Sequence, residues 1–131
     1  MSPTVDRRLG MTVTHRRYVP YAHAHYGGNL VDGAYVLAMF GDVVTELCIR
    51  TDGDEGLFAG YTTVEFRAPV RAGDVLEATA IITRVGNRSR TLELVARVLC
   101  RATPDVSASA ARVLPEPLVC ATATGTVVVP G

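Results

Sequence analysis

A chain of 131 residues is one domain's worth, long enough to bury a core without staples. Thirteen basic and thirteen acidic residues give a formal net charge of zero, so bulk electrostatics recruit neither nucleic acid nor an acidic membrane. Every basic residue is Arg, which excludes a Schiff-base lysine, an internal aldimine with pyridoxal phosphate and a phosphate-loop lysine. Cys48, Cys100 and Cys120 are odd in number, widely spaced and set among apolar residues. They read as reduced core thiols of a cytoplasmic protein, not as a disulfide framework or a zinc site. Arg7, Arg8, Arg16 and Arg17 have no apolar run behind them, so neither a signal peptide nor a membrane span is expected.

In chain order, residues 1–10 are polar and expected to be loose. Met11–Val19 reads as a short strand, and Pro20 opens a loop to Gly28. Asn29 is a good N-cap residue, with Asp32 at its N3 position, and the helix then runs to about Arg50. The polar turn Thr51–Gly56 ends it. Strands are expected over Leu57–Pro69, Val75–Val85, Arg90–Arg101 and Leu118–Val129, punctuated by turns at Arg71–Asp74 and Gly86–Ser89. The Ala-, Ser- and Pro-rich stretch Thr103–Pro117 reads as a long loop with room for a short helix. There is no internal repeat and no linker, so the whole chain is read as one α+β domain.

The stretch His25-Tyr26-Gly27-Gly28-Asn29-Leu30-Val31-Asp32-Gly33-Ala34 runs straight into the only long helical pattern. A helix start leaves backbone N–H groups without intrahelical partners and favours negative charge, so it suits an anion or a developing oxyanion. At about 100° per residue, Leu30, Ala34, Leu37, Gly41, Val44 and Cys48 share one face. Asp32, Tyr35, Met39, Asp42, Glu46 and Arg50 share the opposite arc. That arc reads either as a solvated face with a Glu46–Arg50 pair, or as a surface facing a dimer partner and supplying carboxylates to a cleft. Asp52-Gly53-Asp54 imitates the start of a calcium loop, but the glycine is misplaced and later ligands are missing.

Gly28-Asn29-Leu30-Val31-Asp32-Gly33-Ala34 opening the helix, followed by Phe66-Arg67-Ala68-Pro69-Val70-Arg71-Ala72-Gly73-Asp74, resembles the hotdog fold over about Tyr21 to Arg101. The resemblance implies an antiparallel sheet wrapped around one long helix. It also implies action on acyl-CoA thioesters and a dimer, or dimer of dimers, with its site between subunits. His25-Tyr26-x-Gly28-Asn29-Leu30, Phe40-Gly41-Asp42-Val43-x-Thr45-Glu46 and Arg50–Phe58 further resemble the β-aminoacyl-CoA ammonia lyases. In many hotdog thioesterases an acidic residue stands seven positions after the second glycine of a pair. Here Ala34 replaces that glycine, the seventh position is Gly41, and Asp42 lies one place on. A hydratase of the related double-hotdog type would carry an Asp-x-x-x-x-His dyad, yet Tyr21–Gly28 holds His23 and His25 without an aspartate.

What the resemblance implies for chemistry is loss of ammonia from a β-aminoacyl thioester. The α-proton is acidified because the enolate oxygen can be stabilised, here by amides near Asn29 to Val31. A carboxylate or imidazole then acts as general base, and the substrate ammonium calls for a carboxylate partner. Asp42 or Glu46 is the first candidate for base or ammonium partner, and Asp32 follows because capping already explains it. His25 and Tyr26 are candidates to orient substrate or donate a proton. Asn29 either binds the thioester oxygen or caps the helix. Gly28, Leu30, Val31 and Asp32 are expected to line the substrate site, and Arg84, Arg88 and Arg90 either hold CoA phosphates or are plain surface. No metal and no cofactor beyond the substrate's own CoA are expected. An acyl-CoA thioesterase and a non-catalytic acyl-CoA-binding subunit are the alternatives.

Overall fold

The structure, a computed structural model, describes residues 5–130. Alternation of side chains builds its main sheet. In β6 (Val75–Val85) Leu76, Ala78, Ala80 and Ile82 are buried, as are Leu92, Leu94, Ala96 and Val98 in β7 (Ser89–Ala102). The register sets these inward residues directly opposite one another, Ala80 against Leu94 and Ala78 against Ala96. β8 (Ala111–Val128) continues the pattern with Ala96 against Ala121 and Leu94 against Ala123. With β1 (Thr12–Tyr18) and β4 (Leu57–Phe66) on its edges, the antiparallel sheet has the order β1-β6-β7-β8-β4.

The small side chains at the middle of this sheet leave room for α1 (Gly33–Asp52), which lays Val36, Met39, Phe40, Val43, Val44, Leu47 and Cys48 into the core. One long helix against an antiparallel sheet is the α+β hotdog architecture that the sequence resemblance implies. The helix faces differ from expectation. Met39 and Tyr35 are buried rather than part of a polar arc, while Ala34 is exposed and Leu37 and Gly41 are half-buried. The core stripe is centred about one position away from the face read off the sequence, because two bulky residues, Met39 and Phe40, both point inward.

The helix start also differs. Asn29 does not cap α1. It sits in a 3-10 turn over Gly27–Asn29, where Gly28 (φ 72°) and Asn29 (φ 60°) take the left-handed conformation that reverses the chain. An extended pair, β3 (Leu30–Val31), intervenes. Asp32 is the true N-cap, and its Oδ1 accepts from the Tyr35 amide at 3.3 Å. β3 lies between β2 (Ala24–Tyr26) and β5 (Val70–Arg71) in a second, three-stranded sheet. The Gly73-Asp74 turn locks that sheet down. Buried Asp74 accepts from the Arg71 amide at 2.8 Å and takes two bonds from Arg101, through Nε at 3.0 Å and Nη2 at 2.9 Å.

Two other expectations are corrected. β8 begins at Ala111, so the expected loop shrinks to the residues between Ala102 and Ala111, without a helix. Pro115 and Pro117 sit where β8 bulges away from β7 and has no β4 residue opposite, so their missing N–H groups break no ladder. The N-terminal segment is tied down from Asp6 onward: the Gly10 amide donates to the Ile82 carbonyl at 2.9 Å, and Arg8 bonds both Asp6 and Asp52. Residues 1–4 of the expected loose segment lie outside the described residues. Among the described residues no helix is long and apolar enough to cross a membrane.

Candidate active site

The start of α1 forms one wall of a cavity of about 420 Å³. Asp32, Gly33 and Val36 come from the helix start, Val31 from β3 and Val70 from β5. Tyr26, the segment Phe66–Pro69 and Cys120 complete it. A helix's first amides have no intrahelical acceptor. Asp32 takes that of Tyr35, which leaves those of Gly33 and Ala34 without an intrahelical acceptor, and of these two residues Gly33 lines the cavity. Among the described residues, Asp32 is the only acidic one lining this space. Its second oxygen, Oδ2, lies 3.8 Å from Nδ1 of His25, longer than a hydrogen bond, so neither group uses up the other's capacity. The Tyr26 ring packs edge-on against His25, centroids 4.6 Å apart.

Gly28 and Asn29 face elsewhere. Both line a second cavity of about 340 Å³ with Tyr21, Arg71 and Arg101, and the Asn29 carbonyl accepts from the Ala72 amide at 2.8 Å. Leu30 is half-buried on the outward side of β3, while Val31 points into the first cavity.

Within one subunit, Asp42 and Glu46 are not brought to the helix-start cavity. Both face β1 instead. Arg17 Nη2 meets Asp42 at 2.6 Å, and Glu46 lies 2.8 Å from His15 Nε2 and 2.8 Å from Arg50 Nε. Arg50 first, and then His15, holds the Glu46 carboxyl below the ordinary carboxylate range. Arg17 also stacks over the Tyr35 ring at 5.6 Å, and Tyr35 meets the His23 ring at 4.7 Å, so this clamp reaches back to the loop.

The expected phosphate-binding arginines divide. Arg84 and Arg88 are exposed on the β6–β7 hairpin. Arg90 is corrected to a structural role, because its guanidinium is buried. It bonds Asp52 through Nε at 3.1 Å and Nη2 at 2.7 Å, and donates to the Gly86 and Ser89 carbonyls. Arg90 and Asp52 meet at the far end of the twenty-residue helix, about 30 Å from its start. Within this chain, therefore, Arg90 does not reach the helix-start cavity.

Phe66, Arg67, Cys120 and Val36 line the cavity without having been singled out one by one. The Phe66-Arg67 motif was the available signal for two of them, and Cys120 was read as core. Its thiol is buried, donates to the Ala96 carbonyl at 3.3 Å, and is pushed up to about 11 by burial. Among the described residues, no three His, Cys, Asp or Glu side chains gather to hold a metal ion.

Comparison with known proteins agrees with the architecture. The family model described as Thioesterase superfamily matches residues 28–99, more than half of the chain. A protein of Acetoanaerobium sticklandii named 3-aminobutyryl-CoA ammonia lyase is 54% identical over 107 residues, 82% of this chain and 85% of that protein. The solved structure of β-alanyl-CoA:ammonia lyase from Clostridium propionicum superposes with a TM-score of 0.87 at 38% identity, covering 92% of this chain and 86% of that one. A hexameric hotdog-fold thioesterase of Campylobacter jejuni gives a TM-score of 0.71 at 16% identity over 87% of this chain and 79% of its own, a likeness of fold alone. The chain belongs to the thioesterase superfamily and, within it, to the family of the β-aminoacyl-CoA ammonia lyases.

Proposed function

We propose that this protein reversibly eliminates ammonia from a β-aminoacyl-CoA thioester to give the enoyl-CoA. One observation carries the reading. The helix-start cavity is lined by Gly33, the first residue of α1, and by the Asp32 carboxylate, with the His25 imidazole 3.8 Å from that carboxylate, while the helix position that is acidic in many thioesterases is Gly41. The names of the two lyases above support the same reaction class.

In this scheme the thioester oxygen accepts from the amides of Gly33 and Ala34. Negative charge grows on that oxygen as the Cα–H bond breaks, and preorganised donors stabilise it there. His25 takes the α-proton as general base. The electrons of that bond form the C=C bond while the C–N bond breaks and its pair leaves on nitrogen. Oδ2 of Asp32 holds the substrate ammonium on the imidazole side until that break. The released ammonia then takes the proton from His25 and departs as ammonium. Nothing in this sequence of steps calls for a metal, or for a cofactor other than the CoA of the substrate.

We assign Asp42 and Glu46 to the clamp between α1 and β1, since each already has a basic partner. We further propose a homodimer or higher homo-oligomer, working in the cytoplasm, where three free thiols stay reduced. Mixing the protein with ammonia and crotonyl-CoA or acryloyl-CoA should remove the enoyl absorbance without releasing thiol, and EDTA should not slow it. Thiol release with no ammonia-dependent loss of absorbance would establish a thioesterase instead, and CoA binding with neither activity a binding subunit.

A further inference from the structure

We infer that Phe66 sets the size of the group that the substrate's β-carbon carries. Phe66 is the last residue of β4, and its side chain, although large and apolar, is 56% exposed. Its ring lies directly on the first residue of α1. A Cβ built on Gly33 would stand 2.5 Å from Cζ and 2.8 Å from Cε1 of that ring. Only a glycine admits the ring so close to the helix amides.

The backbone behind the ring is pinned. Immediately after Phe66 the chain leaves the sheet, and the amides of Arg67 and Ala68 both donate to the Cys120 carbonyl, at 2.8 and 3.3 Å. Cys120, 1% exposed, forms the floor of the cavity, with Val36 and Val70 beside it. A thioester whose carbonyl oxygen rests on the Gly33 amide has its β-carbon only two bonds from the carbonyl carbon. The substituent on that carbon therefore meets whatever covers Gly33, and that is the Phe66 ring. Hydrogen or methyl fits between ring and floor, whereas a propyl group must push the ring away.

The inference rests on the lyase reading for its reaction, so the test carries a binding arm as well. Ammonia addition is measured with acryloyl-, crotonyl- and 2-hexenoyl-CoA, and calorimetry follows binding of butyryl- and hexanoyl-CoA. The proteins compared are wild type, Phe66→Ala, Gly33→Ala and the double variant. A single methylene in an apolar pocket is worth about 10–200-fold. Phe66→Ala should therefore raise the hexenoyl-to-crotonyl ratio of kcat/KM, and the hexanoyl-to-butyryl ratio of affinities, by about tenfold or more. Gly33→Ala should lower the crotonyl-to-acryloyl ratio by crowding the ring, and the double variant should recover it, a non-additive result that two separate defects would not give. Unchanged ratios in a folded Phe66→Ala protein overturn the inference. If Phe66→Ala does not fold, Phe66→Leu gives the same reading. If wild type adds ammonia to none of the thioesters, the lyase reading fails, and the affinity ratio alone then decides the role of Phe66.

Discussion

Asp32 caps α1, and substitution can separate that task from the proposed one of holding the substrate ammonium. Asparagine caps a helix about as well as aspartate, so Asp32→Asn should keep thermal stability within about 0.5 kcal/mol. The same change removes the negative charge at Oδ2 and should lower kcat/KM for ammonia addition by about 10²–10⁴-fold, as should His25→Gln. Asp42→Asn should stay within a few-fold of wild type, because its partner Arg17 belongs to its own subunit. A reversed order of effects would return the chemistry to the helix arc. From the sequence Asn29 reads as the cap and Asp32 as its N3 residue, whereas the cap is Asp32. Choosing between them depends on β3 pairing with β5, Leu30 opposite Arg71, a contact 41 residues along the chain that no local pattern displays.

At the level of elements, the end of α1 is held by charge. Asp52 is its last residue, where a carboxylate opposes the helix dipole. Arg90 and Arg8 more than offset this, and the hydrogen bonds from Arg90 bring the Asp52 carboxyl down to about 2. A folded-state value below the unfolded one, about 3.9, stabilises fully above pH 4 and is lost as pH falls through 2. Roughly 2 kcal/mol is at stake over that window. Asp52→Asn should abolish this acid-range dependence in urea melts. It should also destabilise by about 3–5 kcal/mol, since it strands a buried guanidinium. The long strands β6 and β7 were legible within a residue or two because both alternate cleanly between core and surface. The first part of β8 was not, because Pro115, Pro117 and the small residues before them carry turn chemistry. Only their position, in a bulge where neither β7 nor β4 pairs them, makes them compatible with a sheet.

For the whole molecule, β4 is an edge strand whose outer side meets no other strand among the described residues, and it carries Leu57 at 75% exposure. Apolar edges of this kind invite pairing with another chain. Light scattering at micromolar concentration should therefore give at least twice the 14.0 kDa chain mass, and a monomer that retains activity would remove any role for a second subunit. The two ends of α1 are also held unequally. The far end is gripped by buried Arg90, which bonds Asp52 twice, and by a further bond from Arg8, whereas the cavity end hangs on the single 3.3 Å cap from Asp32. Breathing motions should concentrate at the cavity end, and backbone amides of Leu37 and Ala38 should exchange with deuterium sooner than those of Cys48 and Ile49. A thioester held by the Gly33 and Ala34 amides would quiet that end, so ligand occupancy becomes readable as slowed exchange in one turn of one helix.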